Sequence, residues 1–418
     1  MARIRLITGL LVGFIAIAAA YALQSDRGQN LFGHAKSKTA GERPTLISGF
    51  SDSGPEPALA RVFEHIEQNR LNDAMEQTDA LLRAYPNFRL AYLVKGDLLL
   101  ARGRPLTRFG EGGGSAAEGK VADLRDEAAA RLKGYRTKPD AKFVPRYLLQ
   151  LQPEQKHAIV VDTEKSRLYL YQNNDGTPQF VADYYITQGK LGAEKFREGD
   201  KKTPIGVYHV TANLPRQKLT DFYGSGAFPI NYPNEWDKRQ GRNGHGIWLH
   251  GTPSDTFSRP PRASDGCVVL TNQDLDSLAK NLQVGLTPVI ISRQIEWLSL
   301  DDWQSERKEL LGMIDEWRQD WESRDTERYA RHYSKRFVAD GQSYASWVEQ
   351  KRRINEAKSW IKVETKNMSM FRNPGREEYV VVTFQQDYQS NNLSSQMLKQ
   401  QYWVKEEGHW KIVHEGAA

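Results

Sequence analysis

The sequence predicts a multidomain chain in which an N-terminal α-helical segment precedes a central, mostly-β unit and a C-terminal α+β unit. Three observations carry this. At 418 residues the chain has room for about two to four domains. Between Pro57 and Gly103 apolar residues recur at three- and four-residue spacing, whereas from His157 to Ile291 they fall in short β-rich runs punctuated by Gly and Pro. Beyond Asp302, helical patterns come first and long strand patterns follow, the order of an α+β unit.

Composition narrows the class. With 39% hydrophobic and 26% charged residues, the chain can build real cores and is too polar for a multi-span membrane protein. The formal net charge of +6 suits an anionic partner such as an acidic wall polymer, and equally an ordinary lysine-rich surface. No nucleic-acid-binding motif accompanies it, so no nucleic acid is expected.

The N-terminus points to export. Arg3 and Arg5 flank an apolar run from Leu6 to Ala20, and Ala20-Tyr21-Ala22 offers a small-x-small cleavage site. Residues 1–24 therefore read as a signal peptide or N-terminal anchor; the run is short for a span, which needs about 20 apolar residues. Without a cysteine near the cleavage site, no lipoprotein signal is present. The expected location is the periplasm or cell envelope, with inner-membrane anchoring only at this end. Residues 25–54, polar and rich in Ser, Gly and Lys, read as a linker.

The helical unit is expected over residues 55–150. Leu59, Val62, Phe63 and Ile66 share one helix face, and Asn69-Arg70 breaks it. Leu71, Ala74, Met75, Leu81 and Leu82 mark a second helix, which Tyr85-Pro86 ends. A third runs from about Phe88 to Ala101, and residues 121–133 form another. The arrangement resembles a tetratricopeptide-type hairpin as well as an ordinary helical domain. The run Gly110-Glu111-Gly112-Gly113-Gly114 lacks a following Gly-Lys-Ser/Thr and is read as an exposed loop, not a phosphate loop.

In the middle unit, Ala158–Asp162 and Arg167–Tyr171 form a hairpin, with further strands at Phe180–Thr187, Gly206–Ala212, Gly246–Leu249 and Val268–Leu270. Asn272 is expected to cap a helix from Asp274 to Leu282, and Pro288–Ile291 to close the sheet. In the last unit, helices are expected at 302–321, 325–333 and 346–357. Strands follow at 361–371, 378–389, 396–405 and 410–414.

Chemistry concentrates around the only cysteine. In an exported chain a lone thiol cannot form an internal disulfide, which leaves an intermolecular bridge, an inert side chain or a reactive group. A thiol is mostly protonated at neutral pH, so a cysteine nucleophile needs a base, and histidine has the right proton affinity. His250 ends a predicted strand and Cys267 follows seventeen residues later, just before another, so a loop returning to the same sheet brings them together. Gly266 permits a tight turn before the thiol, and the amides of Gly266 and Cys267 are candidates for an oxyanion hole. His245 is expected on the opposite strand face from His250, in a structural role, and His209 as a packed or surface residue. No His/Cys/Asp set has zinc spacing, so no metal is expected.

Residues 155–295 resemble the L,D-transpeptidase (YkuD-like) catalytic family. The resemblance rests on the hairpin with Val161-Asp162 and Leu168-Tyr169-Leu170, on Thr203-Pro204-Ile205-Gly206, on His250-Gly251-Thr252, and on Ser264-Asp265-Gly266-Cys267. It extends through the following helix and the Gly285–Val289 closing segment, about a third of the chain. The resemblance implies a nucleophilic Cys267 attacking the carbonyl of the L-centre of diaminopimelate in a peptidoglycan stem peptide. His250 acts as base, oriented by the backbone carbonyl of Gly251, and no cofactor is needed. The residue before Gly-Cys is most often His in this family; here it is Asp265, a site residue whose role the resemblance leaves open. An unpaired carboxylate there raises the thiol pKa. Arg259 and Arg262 are candidates to pair with it, to bind stem carboxylates, or simply to decorate an exposed loop.

Residues 300–418 resemble the nuclear-transport-factor-like cone fold, through Trp317, Trp321, Tyr329, Tyr333, Phe337 and Trp410-Lys411-Ile412. These aromatics are expected as core ahead of a ligand pocket. The full domain order is similar to that of LD-carboxypeptidases that set helical cell shape. The resemblance thus implies acyl transfer at the diaminopimelate–D-alanine bond, by cross-linking or by trimming a tetrapeptide to a tripeptide. Envelope protein partners are expected through the helical and C-terminal units. The competing expectation is a non-catalytic peptidoglycan-binding scaffold.

Overall fold

The computed structural model describes residues 54–113, 118–338 and 341–418. The N-terminal apolar run and all but the last residue of the expected linker lie outside them. Among the described residues, no helix is long and apolar enough to cross a membrane.

The helical unit contains α1 (Pro55–Glu67), α2 (Leu71–Ala84), α3 (Arg89–Ala101) and α4 (Glu118–Arg136). Proline in the first turn of α1 costs no hydrogen bond, since those amides have no partner inside the helix. Leu59, Val62 and Phe63 pack on Ala74, Leu81 and Leu82 and on Leu90, Val94 and Leu98, the faces that the spacing assigned. The glycine-rich segment wraps an acid, not a phosphate. The amides of Gly110 and Gly112 donate to the buried Asp97 carboxylate at 2.5 and 2.7 Å. α4 is longer than the sequence pattern indicated.

Next come β1 (Phe143–Pro145) and β2 (Leu148–Gln150), two short strands that the sequence reading left inside the helical unit. The central unit follows with β3 (His157–Asp162), β4 (Arg167–Asn174), β5 (Thr177–Tyr185), β6 (Gln188–Gly189), β7 (Gly206–His209), β8 (Leu214–Pro215) and β9 (Gly226–Pro229). It continues with α5 (Glu235–Arg239), β10 (Trp248–His250), β11 (Arg262–Ser264), β12 (Val268–Val269), α6 (Asn272–Ala279) and β13 (Pro288–Ser292). One sheet has the order β5-β4-β3-β13-β7; a second has β12-β10-β9-β8. Between them Ile159, Val161, Leu168, Leu170, Phe228, Leu249, Val268 and Leu275 form the core.

The C-terminal unit comprises β14 (Trp297–Ser299), α7 (Leu300–Glu322), α8 (Thr326–Ala330), α9 (Tyr344–Glu356), β15 (Ile361–Arg372), β16 (Tyr379–Ser390), β17 (Leu393–Glu406) and β18 (His409–Ala417). Its sheet runs β18-β17-β16-β15-β2, and β1 pairs with β14, so residues 143–150 belong structurally to this unit. One face of the sheet packs on Trp317, Trp321, Tyr329, Tyr333, Phe337 and Trp347. The other meets the outer face of the central sheet, where Val381, Tyr402 and Val404 pack with Ala158, Val160 and Tyr169. Burial on both faces explains why β3 carries an unbroken apolar run, Ala158–Val161, instead of alternating. The cone aromatics are therefore core. Among them, Tyr333, Gln401 and Lys399 converge on the half-buried Glu415 carboxylate at 3.1, 3.1 and 3.5 Å.

Two local expectations are corrected. The helix expected to reach Tyr333 ends at Ala330. The cap of α6 is Thr271, whose hydroxyl accepts from the Asp274 amide, and not Asn272, whose side chain is drawn into the neighbouring loops.

Candidate active site

β10 and β12 are parallel neighbours, with Leu249 opposite Val268 and His250 opposite Val269. This register sets Cys267 two positions diagonally from His250, about 8 Å between Cα atoms from ordinary strand spacings. A loop of 252–267 leaves the first strand and returns to the second, as the spacing indicated.

His250 is 1% exposed. Its Nδ1 lies 2.7 Å from the Gly251 carbonyl oxygen. A carbonyl only accepts, so Nδ1 carries the proton and Nε2 keeps its lone pair. The ring sits against Tyr223 and Phe222, at centroid distances of 5.1 and 5.8 Å. Burial pushes its pKa down to about 4; the Gly251 carbonyl opposes this and the Arg259 charge adds to it.

Cys267 is half-buried, and its thiol donates to the Gly246 carbonyl at 3.3 Å. Burial raises the thiol to about 11, and Asp265 adds to the rise. The Trp248 amide, Arg259 and Lys195 act in the opposite direction. Arg259 thus acts on both groups. Its guanidinium lies 4.8 Å from the centre of the Phe222 ring, which in turn faces His250.

The turn before the thiol is held tightly. Gly266 has φ of 132°, and a Cβ there would sit 2.7 Å from the Lys202 carbonyl. The Thr203 hydroxyl accepts from Gly189 and donates to the Gly266 carbonyl, both at 3.0 Å, which gives the Thr-Pro-Ile-Gly segment a mechanical role. Ser264 donates to the Cys267 carbonyl at 2.6 Å and accepts from the Gly266 amide at 3.2 Å. The Gly266 amide is therefore engaged, in contrast to the expectation that it would be free for an oxyanion; the Cys267 amide remains the candidate. Asp265 is exposed and pairs with Lys190 at 3.2 Å, not directly with either arginine. Arg262, also exposed, lies within electrostatic reach of Asp126 on α4. His245 is exposed beside Glu198 instead of packed. His209 is half-buried in β7.

Lys195 and Phe222 went unnoticed in the sequence, and Asn272 was read only as a helix cap. Asn272 Oδ1 accepts from the amides of Ser225 and Thr252 at 2.9 and 3.2 Å, and its Nδ2 donates to the Thr252 carbonyl at 2.9 Å. It ties the two loops that flank His250. Gly224 and Gly251 leave the room, since a Cβ on either would come within about 2 Å of Asn272 Oδ1. Lys195, 4% exposed, is held by Asp200 at 2.7 Å and adds positive charge near the thiol. Phe222 screens the imidazole while itself half exposed. A cluster that no sequence spacing revealed, Glu316, Asp320 and His332, forms on α7 and beyond α8. Its central Asp320 is already bound to Arg328 at 2.6 Å and His332 at 2.9 Å, which describes an ion-pair network.

Residues 156–291 match the L,D-transpeptidase catalytic domain (YkuD), and residues 309–416 match the Cds6 C-terminal NTF2-like domain. A stretch of 122 residues is 31% identical to the putative L,D-transpeptidase YafK of Escherichia coli (strain K12), covering 29% of this chain and 44% of that protein. The chain thus spans less than half the length of the curated relatives it matches. Bd1075 of Bdellovibrio bacteriovorus superposes with a TM-score of 0.59 at 30% identity, over 66% of this chain and 98% of that one. The helical cell shape determining protein Pgp2 of Campylobacter jejuni gives 0.55 at 26% identity, over 65% and 95%.

Proposed function

Because the chain belongs to the L,D-transpeptidase (YkuD) family and carries a Cds6-type NTF2-like domain, we propose that it is an exported LD-carboxypeptidase that trims peptidoglycan stem peptides at the diaminopimelate–D-alanine bond. The observation that carries this is the His250 Nδ1–Gly251 hydrogen bond, which leaves Nε2 as a base on the strand beside that of Cys267. The domain order supports trimming over cross-linking, since the likeness to the cell-shape protein Pgp2 extends over 95% of that chain.

With the thiol raised and the imidazole lowered, the resting pair is neutral, and the proton moves as attack occurs. The sulfur attacks the carbonyl carbon while its proton passes to Nε2 of His250. The oxyanion is met by the Cys267 amide. When the C–N bond breaks, Nε2–H protonates the departing D-alanine amine and a thioester remains. Water then attacks the thioester, giving its proton to Nε2; the C–S bond breaks and the thiolate recovers that proton. Arg259 supplies the cation for a stem-peptide carboxylate. Incubation of the purified protein with tetrapeptide muropeptides tests this. Tripeptide and free D-alanine are expected from the natural chain and none from Cys267→Ala. Cross-linked dimers without tripeptide would refute trimming, and full activity of Cys267→Ala would refute the mechanism.

A further inference from the structure

The helical unit reaches into the catalytic centre. The loop between Gly251 and β11 leans on α2, α3 and α4, not on the central unit alone. Phe257 lies at a tilt against Phe88 and Tyr85, with centroids 4.6 and 5.1 Å apart, and packs on the helical core. Asn87 donates to the Ser254 carbonyl at 3.2 Å. Ser258, the residue directly after Phe257, donates its hydroxyl to Glu127 of α4 at 2.6 Å. Glu127 is 1% exposed and also binds Arg131 at 2.9 Å.

Arg131, equally buried, lies 3.9 Å from the centre of the Tyr185 ring. Tyr185 donates its hydroxyl to the Arg259 carbonyl at 2.9 Å. Thr187 secures the same carbonyl at 3.1 Å and the Pro260 carbonyl at 2.8 Å. Two routes from α4 therefore converge on the backbone of Arg259, one through Ser258 and one through Tyr185. The Arg259 side chain then covers Phe222, and Phe222 faces His250.

We propose that the helical unit is a working part of the active site: Glu127 and Ser258 are positioning residues that fix Arg259 beside the Cys267–His250 pair. A unit serving only as a tether between the N-terminus and the enzyme has no need of a buried acid committed to a catalytic loop. Glu127 makes that commitment beside two further contacts of α4 with the central unit, Asp126 within electrostatic reach of Arg262 and Arg131 against Tyr185. The proposal rests on the acyl-transfer reading for its turnover assay and is independent of it for its thiol assay.

The test combines Ser258→Ala, Ser258→Thr and Arg259→Ala. Ser258→Ala deletes one hydroxyl from a half-buried loop and leaves both cores intact. Loss of one charge-assisted hydrogen bond predicts a fall in kcat/KM of about tenfold, carried mainly by KM. Ser258→Thr, which keeps the hydroxyl, restores it. Alkylation of Cys267 by iodoacetamide is expected to slow in Ser258→Ala, since the guanidinium that favours the thiolate is no longer held near it. In an Arg259→Ala background, Ser258→Ala should have no further effect on either readout, because it acts through Arg259. Phe257→Ala, which frees the same loop from the helical core, should reproduce the phenotype. Additive effects of Ser258→Ala and Arg259→Ala, or unchanged turnover and alkylation in Ser258→Ala, would overturn the proposal. If the natural chain itself fails to release D-alanine, the proposed reaction falls, while the alkylation series still decides the positioning role.

Discussion

Asp265 stands where the family most often has histidine, and its charge should make Cys267 a slower nucleophile than it need be. Replacing it by Asn removes one of the two influences that raise the thiol. Its side chain is 69% exposed and already paired with Lys190, so water-like screening applies. Two unit charges about 6 Å apart in such a medium interact by about 0.7 kcal/mol. That moves a titration midpoint by about half a pH unit. Below the midpoint, reactivity follows the thiolate fraction, so alkylation at about pH 8 should run roughly threefold faster in Asp265→Asn. The protein has a single cysteine, so mass spectrometry of iodoacetamide-treated protein reports this site alone. Lys190→Gln, which strips Asp265 of its partner, should slow the same reaction. An unchanged or slower rate in Asp265→Asn would show that Lys190 already neutralises the carboxylate as seen from the sulfur.

Two further predictions concern the frame. Asn272→Ala removes three hydrogen bonds between the loops flanking His250; kcat/KM should fall by on the order of a hundredfold through misplacement of the base. Asn272→Asp, which keeps the acceptor, should recover much of it; equal loss in both variants would refute the acceptor's role. Glu56 on α1 binds Arg131 and Arg167, each 1% exposed, at 2.9 and 2.8 Å, joining the helical and central units. Burial pushes Glu56 up, but the two guanidiniums prevail and hold its carboxyl below the ordinary value. Its stabilisation is therefore present above the unfolded pKa of about 4.3 and lost as pH falls through the lower folded value. Glu56→Gln should cost about 3–5 kcal/mol at neutral pH, since it leaves buried arginines short of a counter-charge. It should also flatten the acid limb of a Tm-against-pH curve; an unchanged neutral Tm would sink this reading.

The meeting of Cys267 and His250 on neighbouring strands was legible because they lie close in sequence, at the ends of short strands, within a motif-rich stretch. Gly251 was legible only through the family resemblance, since any residue has a carbonyl. Lys195, Asn272 and Glu127 were not legible: each acts through a neighbour at least 20 residues away, and nothing local marks a lysine, an asparagine or a glutamate as buried. Asn272 misled for a physical reason. It has a good capping side chain, but Thr271 caps equally well, which freed the amide for the loops. The strands at 143–150 escaped because three residues carry no period and their partners are supplied from far along the chain.

That last pairing bears on how the protein is made. Leu148 meets Phe371, so 223 residues must emerge before β2 finds its neighbour. Closing such a loop costs about 2 kcal/mol more entropy than one a tenth as long. The catalytic unit is thus spliced into the C-terminal one by topology, and a chain cut short before β15 leaves β2 as an unpaired edge. Completion of the last unit seals a strand laid down before Cys267 was synthesised, so prematurely terminated copies present an exposed ribbon to proteases while finished ones do not.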